Sequence, residues 1–156
     1  TVRNLQNATK EENNWDQRIG IFKQDDLLSS KINEDTEPLE ENIFSVCNHQ
    51  KDSTYVSCDY YYPNGLIAIE GDFKDSKRDG VWKIFYRDRN IEQIGTLENG
   101  LQTSIWKYYH QNGQLATQGL WVEGKRDSFW EYYDQEGQLE KIENFSNGEL
   151  IGRNIL

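Results

Sequence analysis

The sequence predicts an all-β fold: an extended, twisted antiparallel meander of repeated hairpins, preceded by an irregular N-terminal cap. Three observations lead there. Trp82, Trp106 and Trp130 stand 24 residues apart. Glycines keep the same step, as Gly71, Gly95 and Gly119 in one column and Gly65, Gly113 and Gly137 in another. Polar Gly-containing pairs such as Asn64-Gly65 and Asn99-Gly100 separate the aromatic from the apolar runs. Turns and apolar positions that share one period are the mark of a repeat in which each copy is a single supersecondary unit.

The regular units are 58–81, 82–105, 106–129 and 130–153. Each reads as two strands. The first is aromatic, as in Trp106-Lys107-Tyr108-Tyr109, and the second apolar, as in Leu115 to Trp121. Further columns support this reading: Phe73, Leu97, Trp121 and Phe145 form one, and Ile67, Ile91, Leu115 and Leu139 another. Asn-Gly between such runs predicts a two-residue type I′ turn, which needs positive φ at both central residues. At Asn64-Gly65 that turn sets residue 58 opposite residue 71. A following turn centred between Ser76 and Lys77 sets residue 71 opposite residue 82. One row then crosses the sheet through Cys58, Gly71, Trp82, Gly95, Trp106, Gly119 and Trp130. A ring laid over a cross-strand glycine covers exposed backbone. The same register faces Glu70 with Lys83, a favourable pair. The copies are not uniform: Asp88-Arg89 replaces the Asn-Gly turn, Glu143 stands in the Gly column and Asn154 in the Trp column.

Extended backwards, the row sets residue 47 opposite residue 58, and both are Cys. A Cys47–Cys58 disulfide is expected; the alternative is a pair of reduced thiols, the usual state in a cytosolic protein. A strand is expected from Ile43 to Cys47, so that residues 34–57 form a degenerate first unit. Two domains follow: 1–42, an N-terminal cap or partly flexible segment, and 43–156, the repeat domain. Within the first, residues 19–22 read as a strand, 25–32 as a short helix and 33–42 as a charged loop. The cap would cover the first sheet edge, since open edges invite mispairing.

Composition narrows the function. The 156 residues are 35% hydrophobic and 13% aromatic, with 5 Trp and 9 Tyr, enough rings to bury a core despite few aliphatics. The net charge of −10 disfavours nucleic acid and anionic membranes and suits a basic protein partner. No apolar run approaches the roughly 18–20 residues of a membrane span. No signal peptide is visible; the chain begins at Thr1 and contains no Met, as expected of a mature or trimmed form, which leaves open whether an export signal preceded it.

His49 and His110 are the only histidines and nothing in the pattern brings them together. No nucleophile elbow, phosphate loop or metal motif is present, so no enzyme activity, cofactor or metal is expected. The aromatic column Tyr61, Phe85, Tyr109 and Tyr133 is the candidate partner-binding strip, since Tyr and its kin bury large area with few rotors. In the structural alternative this column is covered by the N-terminal segment or by sheet curvature. Glu131 and Asp134, with Glu136 and Glu140 nearby, add acidic groups that would set on-rate and specificity.

The stretch from Gly71 to Tyr86, and Trp106-Lys-Tyr-Tyr-His-Gln-Asn-Gly-Gln-Leu115, resemble the MORN-repeat variants, which repeat Gly-x-Phe, Gly-x-Trp, Tyr-Tyr and Asn-Gly-x-Leu. The resemblance covers residues 58–153. It implies an elongated, twisted antiparallel meander, and the hairpin count gives about nine or ten strands. It also implies a non-enzymatic binding protein of immunity or antitoxin type, which blocks a toxic effector enzyme, here a basic one. The alternative is a cell-surface or periplasmic scaffold or lipoprotein that binds an envelope component or carbohydrate. The expected location is periplasmic or otherwise extracytoplasmic, with the cytoplasm as the alternative.

Overall fold

The structure, a computed structural model, describes residues 44–49, 54–62 and 64–156. They form one open antiparallel sheet of ten strands in sequence order. The strands are β1 (Phe44–His49), β2 (Tyr55–Tyr61), β3 (Ile67–Lys74), β4 (Lys77–Phe85), β5 (Ile91–Glu98), β6 (Leu101–Tyr109), β7 (Leu115–Val122), β8 (Lys125–Tyr133), β9 (Leu139–Ser146) and β10 (Glu149–Ile155). No helix is present among the described residues, and none is long and apolar enough to cross a membrane. The strand, helix and loop expected within 19–42, and the N-terminal cap as a whole, lie outside the described residues.

The Gly–Trp row organises the sheet. Cys47 pairs with Cys58 and Cys58 with Gly71, and Trp82 pairs with Gly95, Trp106 with Gly119, and Gly119 with Trp130. The indole of each Trp lies on the glycine of the preceding strand. A Cβ built on Gly71, Gly95 or Gly119 would overlap the ring of Trp82, Trp106 or Trp130 respectively. The three Trp are 0–2% exposed. Glycine in a strand costs about 0.5–1 kcal/mol. Burying a ring of 150–250 Å² returns roughly 4–6 kcal/mol as an upper estimate, so the pairing is favourable overall. Each indole N–H is also satisfied: Trp82 donates to the Asp72 carbonyl at 3.1 Å, Trp106 to Thr96 at 3.1 Å and Trp130 to Leu120 at 3.2 Å. At the first end the row closes in the Cys47–Cys58 disulfide, Cα–Cα 4.2 Å. The Glu70–Lys83 pair forms as expected, at 3.5 Å.

The turns depart from expectation. At Asn64-Gly65 only Gly65 has positive φ, and the loop is closed between Tyr62 and Leu66. The loop is three residues long, with its last residue left-handed, rather than the two-residue turn expected. Gly113 and Gly137 fill the left-handed place in later copies, and Arg89 fills it in the second, at φ 76°. The reason is local. The side-chain oxygens of Asn64, Asp88 and Asn112 accept the N–H two residues on, at 2.9–3.0 Å, a turn that mimics backbone. The type I′ turns sit at the opposite edge: Asp75-Ser76, Asn99-Gly100, Glu123-Gly124 and Asn147-Gly148 all have positive φ at both residues. The first of these is one residue earlier than the turn centre expected between Ser76 and Lys77.

Bulges reconcile these turns with the row. Near the three-residue loops, Tyr60 pairs with Ile69 but Tyr61 with Ile67, leaving Ala68 as an extra residue. Near the type I′ turns, Asp72 pairs with Asp79 but Glu70 with Lys83, so that residues 80–81 are extra. The same break recurs at 104–105 and 128–129. Its first residue is left-handed each time: Gly80 at φ 75°, Ser104 at 62° and Ser128 at 57°. Each bulge shifts the register just enough to bring glycine under tryptophan again.

The units are tied to one another at both edges. Tyr62 Oη donates to the Phe85 carbonyl at 2.7 Å and Tyr86 Oη to that of Tyr109 at 2.6 Å. His110 takes the third place in this ladder, with Nε2 2.8 Å from the Tyr133 carbonyl. A carbonyl only accepts, so Nε2 carries the proton. Burial, then the Glu92 carboxylate, pushes both Tyr hydroxyls up to about 12, so they remain donors at neutral pH. At the other edge Gly100 N–H donates to the Arg78 carbonyl, Gly124 to Gln102 and Gly148 to Arg126, at 2.8–3.0 Å.

The row ends in charge. Trp130 pairs with Glu143, which is 4% exposed. The bulge on β10 is one residue shorter than the others, so Arg153, and not Asn154, faces Glu143. Arg153 and Lys141 both pair with its carboxylate, Lys141 at 3.2 Å and Arg153 at 2.6 Å. Burial alone would raise this carboxyl; hydrogen bonds from Tyr132, Arg153 and Lys141 outweigh it and hold Glu143 below the ordinary 4.5. The Arg126 guanidinium lies 4.5 Å from the Trp130 ring centre and covers its outer side.

Four outcomes follow for stability. Gly95→Ala forces a methyl into the Trp106 ring and should cost about 1–3 kcal/mol in denaturant unfolding. Gly152→Ala meets only Asn144 Cβ at 3.8 Å and should be neutral or stabilising by up to about 1 kcal/mol. His110→Phe should lose about 1 kcal/mol, whereas His110→Tyr, which restores the column residue, should not. The Glu143 stabilisation is complete above pH 4.5 and is lost as pH falls through its depressed folded value, so Glu143→Gln should flatten the acid limb of a plot of Tm against pH.

Candidate functional site

Side chains alternate between the two faces of a strand. One face carries the tryptophans and most of the buried residues, including Tyr60, Ile69, Phe73, Ile84, Leu97, Tyr108 and Trp121. The opposite face carries three rows that run across the strands, and it is the candidate site.

The first row holds the candidate strip. Tyr61, Phe85, Tyr109 and Tyr133 occupy one register position on β2, β4, β6 and β8, and all are half-buried. They are not adjacent to one another. Ile67, Ile91, Leu115 and Leu139 pair with them on the intervening strands, so the strip alternates aromatic and aliphatic. The rings recur every second strand, roughly 9–10 Å apart.

The middle row is charged. Asp59 faces Glu70, Glu70 faces Lys83, Ile94 faces Lys107, and Gln118 faces Glu131. Burial, then the carboxylates of Glu70 and Asp72, raises the Asp59 carboxyl. Glu131 is held in place: its Oε2 accepts from Gln118 Nε2 at 2.6 Å and from Tyr133 Oη at 2.8 Å. These two hydrogen bonds keep its carboxyl below the ordinary value. Glu131 and Tyr133 are thus joined as one group. Asp134 is differently employed. Its Oδ1 accepts the N–H groups of Glu136 at 3.0 Å and Gln138 at 2.8 Å, which closes the turn. Glu136 and Glu140 are exposed.

The third row was not singled out from the sequence. Val81, Ile105 and Phe129 are 53%, 51% and 65% exposed. They share the 24-residue step, and each follows the left-handed first residue of a bulge, Gly80, Ser104 or Ser128. The column of small residues was the available signal. An apolar column in phase reads as core when the bulge is unseen. The histidines are apart from this face's rows: His49 is exposed on β1 and His110 holds the edge ladder.

Residues 102–123 and 130–147 match the family model described as the MORN repeat variant. No curated protein matches the chain. Among solved structures, the crystal structure of TarM is similar at 9% identity with a TM-score of 0.42, over 69% of this chain and 20% of that one. The chain therefore spans about a fifth of the length of that structure. The matched segments fall on β6–β7 and β8–β9, two successive hairpins whose Trp–Gly pairing, turns and bulges are described above. The chain is a β-hairpin repeat protein that carries MORN repeat variants at residues 102–123 and 130–147.

Proposed function

We propose that the protein is a non-enzymatic protein-binding module of immunity or antitoxin type, which covers a toxic effector enzyme through the open face of the sheet. The observation that carries this reading is the strip of Tyr61, Phe85, Tyr109 and Tyr133, four half-buried rings presented at one register position on alternate strands. MORN repeats usually serve protein or membrane binding. The net charge of −10 weighs against an anionic membrane and for a basic protein. The Cys47–Cys58 disulfide favours an oxidising compartment, and so an extracytoplasmic place of action.

On this reading Tyr109 and Tyr133 are anchors, and Glu131 holds the Tyr133 hydroxyl in position. The test is co-expression with the product of the neighbouring gene, assayed for toxicity to the host, followed by titration calorimetry of the purified pair. The protein should protect the host and bind. Tyr109→Ala and Tyr133→Ala should each weaken binding by more than about 1 kcal/mol while both variants still unfold cooperatively. Full-strength binding by both folded variants would refute the strip, and absence of protection and binding would refute the immunity reading.

A further inference from the structure

We propose that Val81, Ile105 and Phe129 form a second docking line on the same face, fitted to a protein segment that is basic at one end and apolar at the other. The proposal rests on the reading of this face as a protein-binding surface and specifies the partner's chemistry.

Three observations carry it. The side chains are more than half exposed, in three consecutive units at one position. Single exposed apolar residues are ordinary, but an aligned row of them is the kind of patch that marks an interaction site. The backbone that presents them is costly. Residues 104 and 128 are Ser with φ of 62° and 57°, in a region that costs an L-residue about 1–2 kcal/mol. The bulge sets the register of the Trp row, but it does not require a large apolar side chain at the outward position that follows.

The third observation is charge, and it gives the line a direction. At the β2–β4 end, Asp59 lies opposite Glu70 and Asp72 opposite Asp79. Directly opposed like charges destabilise a sheet. Lys83 answers Glu70 at 3.5 Å, but the Asp59 carboxyl is still raised by burial and by its acidic neighbours. Cations from a partner would relieve this repulsion. At the other end Ile105 pairs with Leu120, and Phe129 with Asn144. A partner segment would therefore place Lys or Arg over β2–β4 and apolar side chains over β6–β8. A second copy of this acidic chain fits poorly at the β2–β4 end.

The test uses a synthetic peptide with Lys in one half and Leu in the other, a control with Glu in place of Lys, and phosphatidylglycerol vesicles, each titrated into the full chain. The Lys–Leu peptide should bind, with NMR shifts centred on Val81, Ile105 and Phe129, and the Glu–Leu control should not. Ile105→Asp and Phe129→Asp should each weaken binding by about tenfold or more. These positions are exposed, so Tm should hold; Phe129→Ser serves if either Asp variant unfolds. Asp72→Asn with Asp79→Asn should weaken binding and reduce its salt dependence. The proposal is overturned if the Phe129 variants bind the peptide as the parent does, if the Glu–Leu control binds equally, if no peptide binds, or if only vesicles bind. The toxic enzyme separates the two readings. Loss of binding in Tyr133→Ala but not in Phe129→Asp leaves the binding face standing and removes this row; loss in neither removes both.

Discussion

A tryptophan ring in the space a glycine leaves empty is the contact on which the sheet depends. Trp82, Trp106 and Trp130 each fill the Cβ position of a neighbour-strand glycine, and the fit admits one register. A slip of one residue would turn every ring to the other face. The fit also explains the bulges. Three-residue loops at one edge and type I′ turns at the other set pairings that miss the Gly–Trp match, and the extra residues at 68, 80–81, 104–105 and 128–129 restore it. The strained φ values at Ser104 and Ser128 are tolerable because a buried ring is worth several times their cost, roughly 4–6 against 1–2 kcal/mol.

Much of this was legible in the sequence because it depends on period. Columns in phase located the hairpins and the Gly–Trp row, and the row led back to Cys47 and Cys58. The turns were less legible. Asn-Gly occurs at both edges, as Asn64-Gly65 and Asn99-Gly100, with different conformations. What separates them is whether the side-chain oxygen can close onto the N–H two residues on, a choice settled by the loop's length and pairing. The last unit shows the same limit. Asn154 keeps its place in the count, but a bulge one residue shorter delivers Arg153 to Glu143.

The candidate face was legible in part for the same reason. Alternation along a strand is visible in the sequence, so Tyr61, Phe85, Tyr109 and Tyr133 could be set opposite the tryptophans. The tie between Glu131 and Tyr133, and the use of Asp134 within its turn, depend on side-chain reach across strands and loops. Val81, Ile105 and Phe129 were hidden by their own regularity. His110 shares a column with Tyr62 and Tyr86, but the hydrogen bond it makes there, the donor role those tyrosines fill elsewhere, depends on side-chain reach to the next unit.

The ladders at the two edges have a consequence for how such a chain can change. Every strand pairs only with those before and after it, and the links along each edge span 22 or 23 residues. Stability in such an array is close to a sum over neighbours. Tandem duplication of one 24-residue block would therefore insert two strands with every ring, turn and edge bond in place, whereas a single-residue insertion would leave all later copies out of step with the earlier ones. Heredity can lengthen or shorten this sheet in whole units, and each change adds or removes one ring of the strip and one side chain of the outer row.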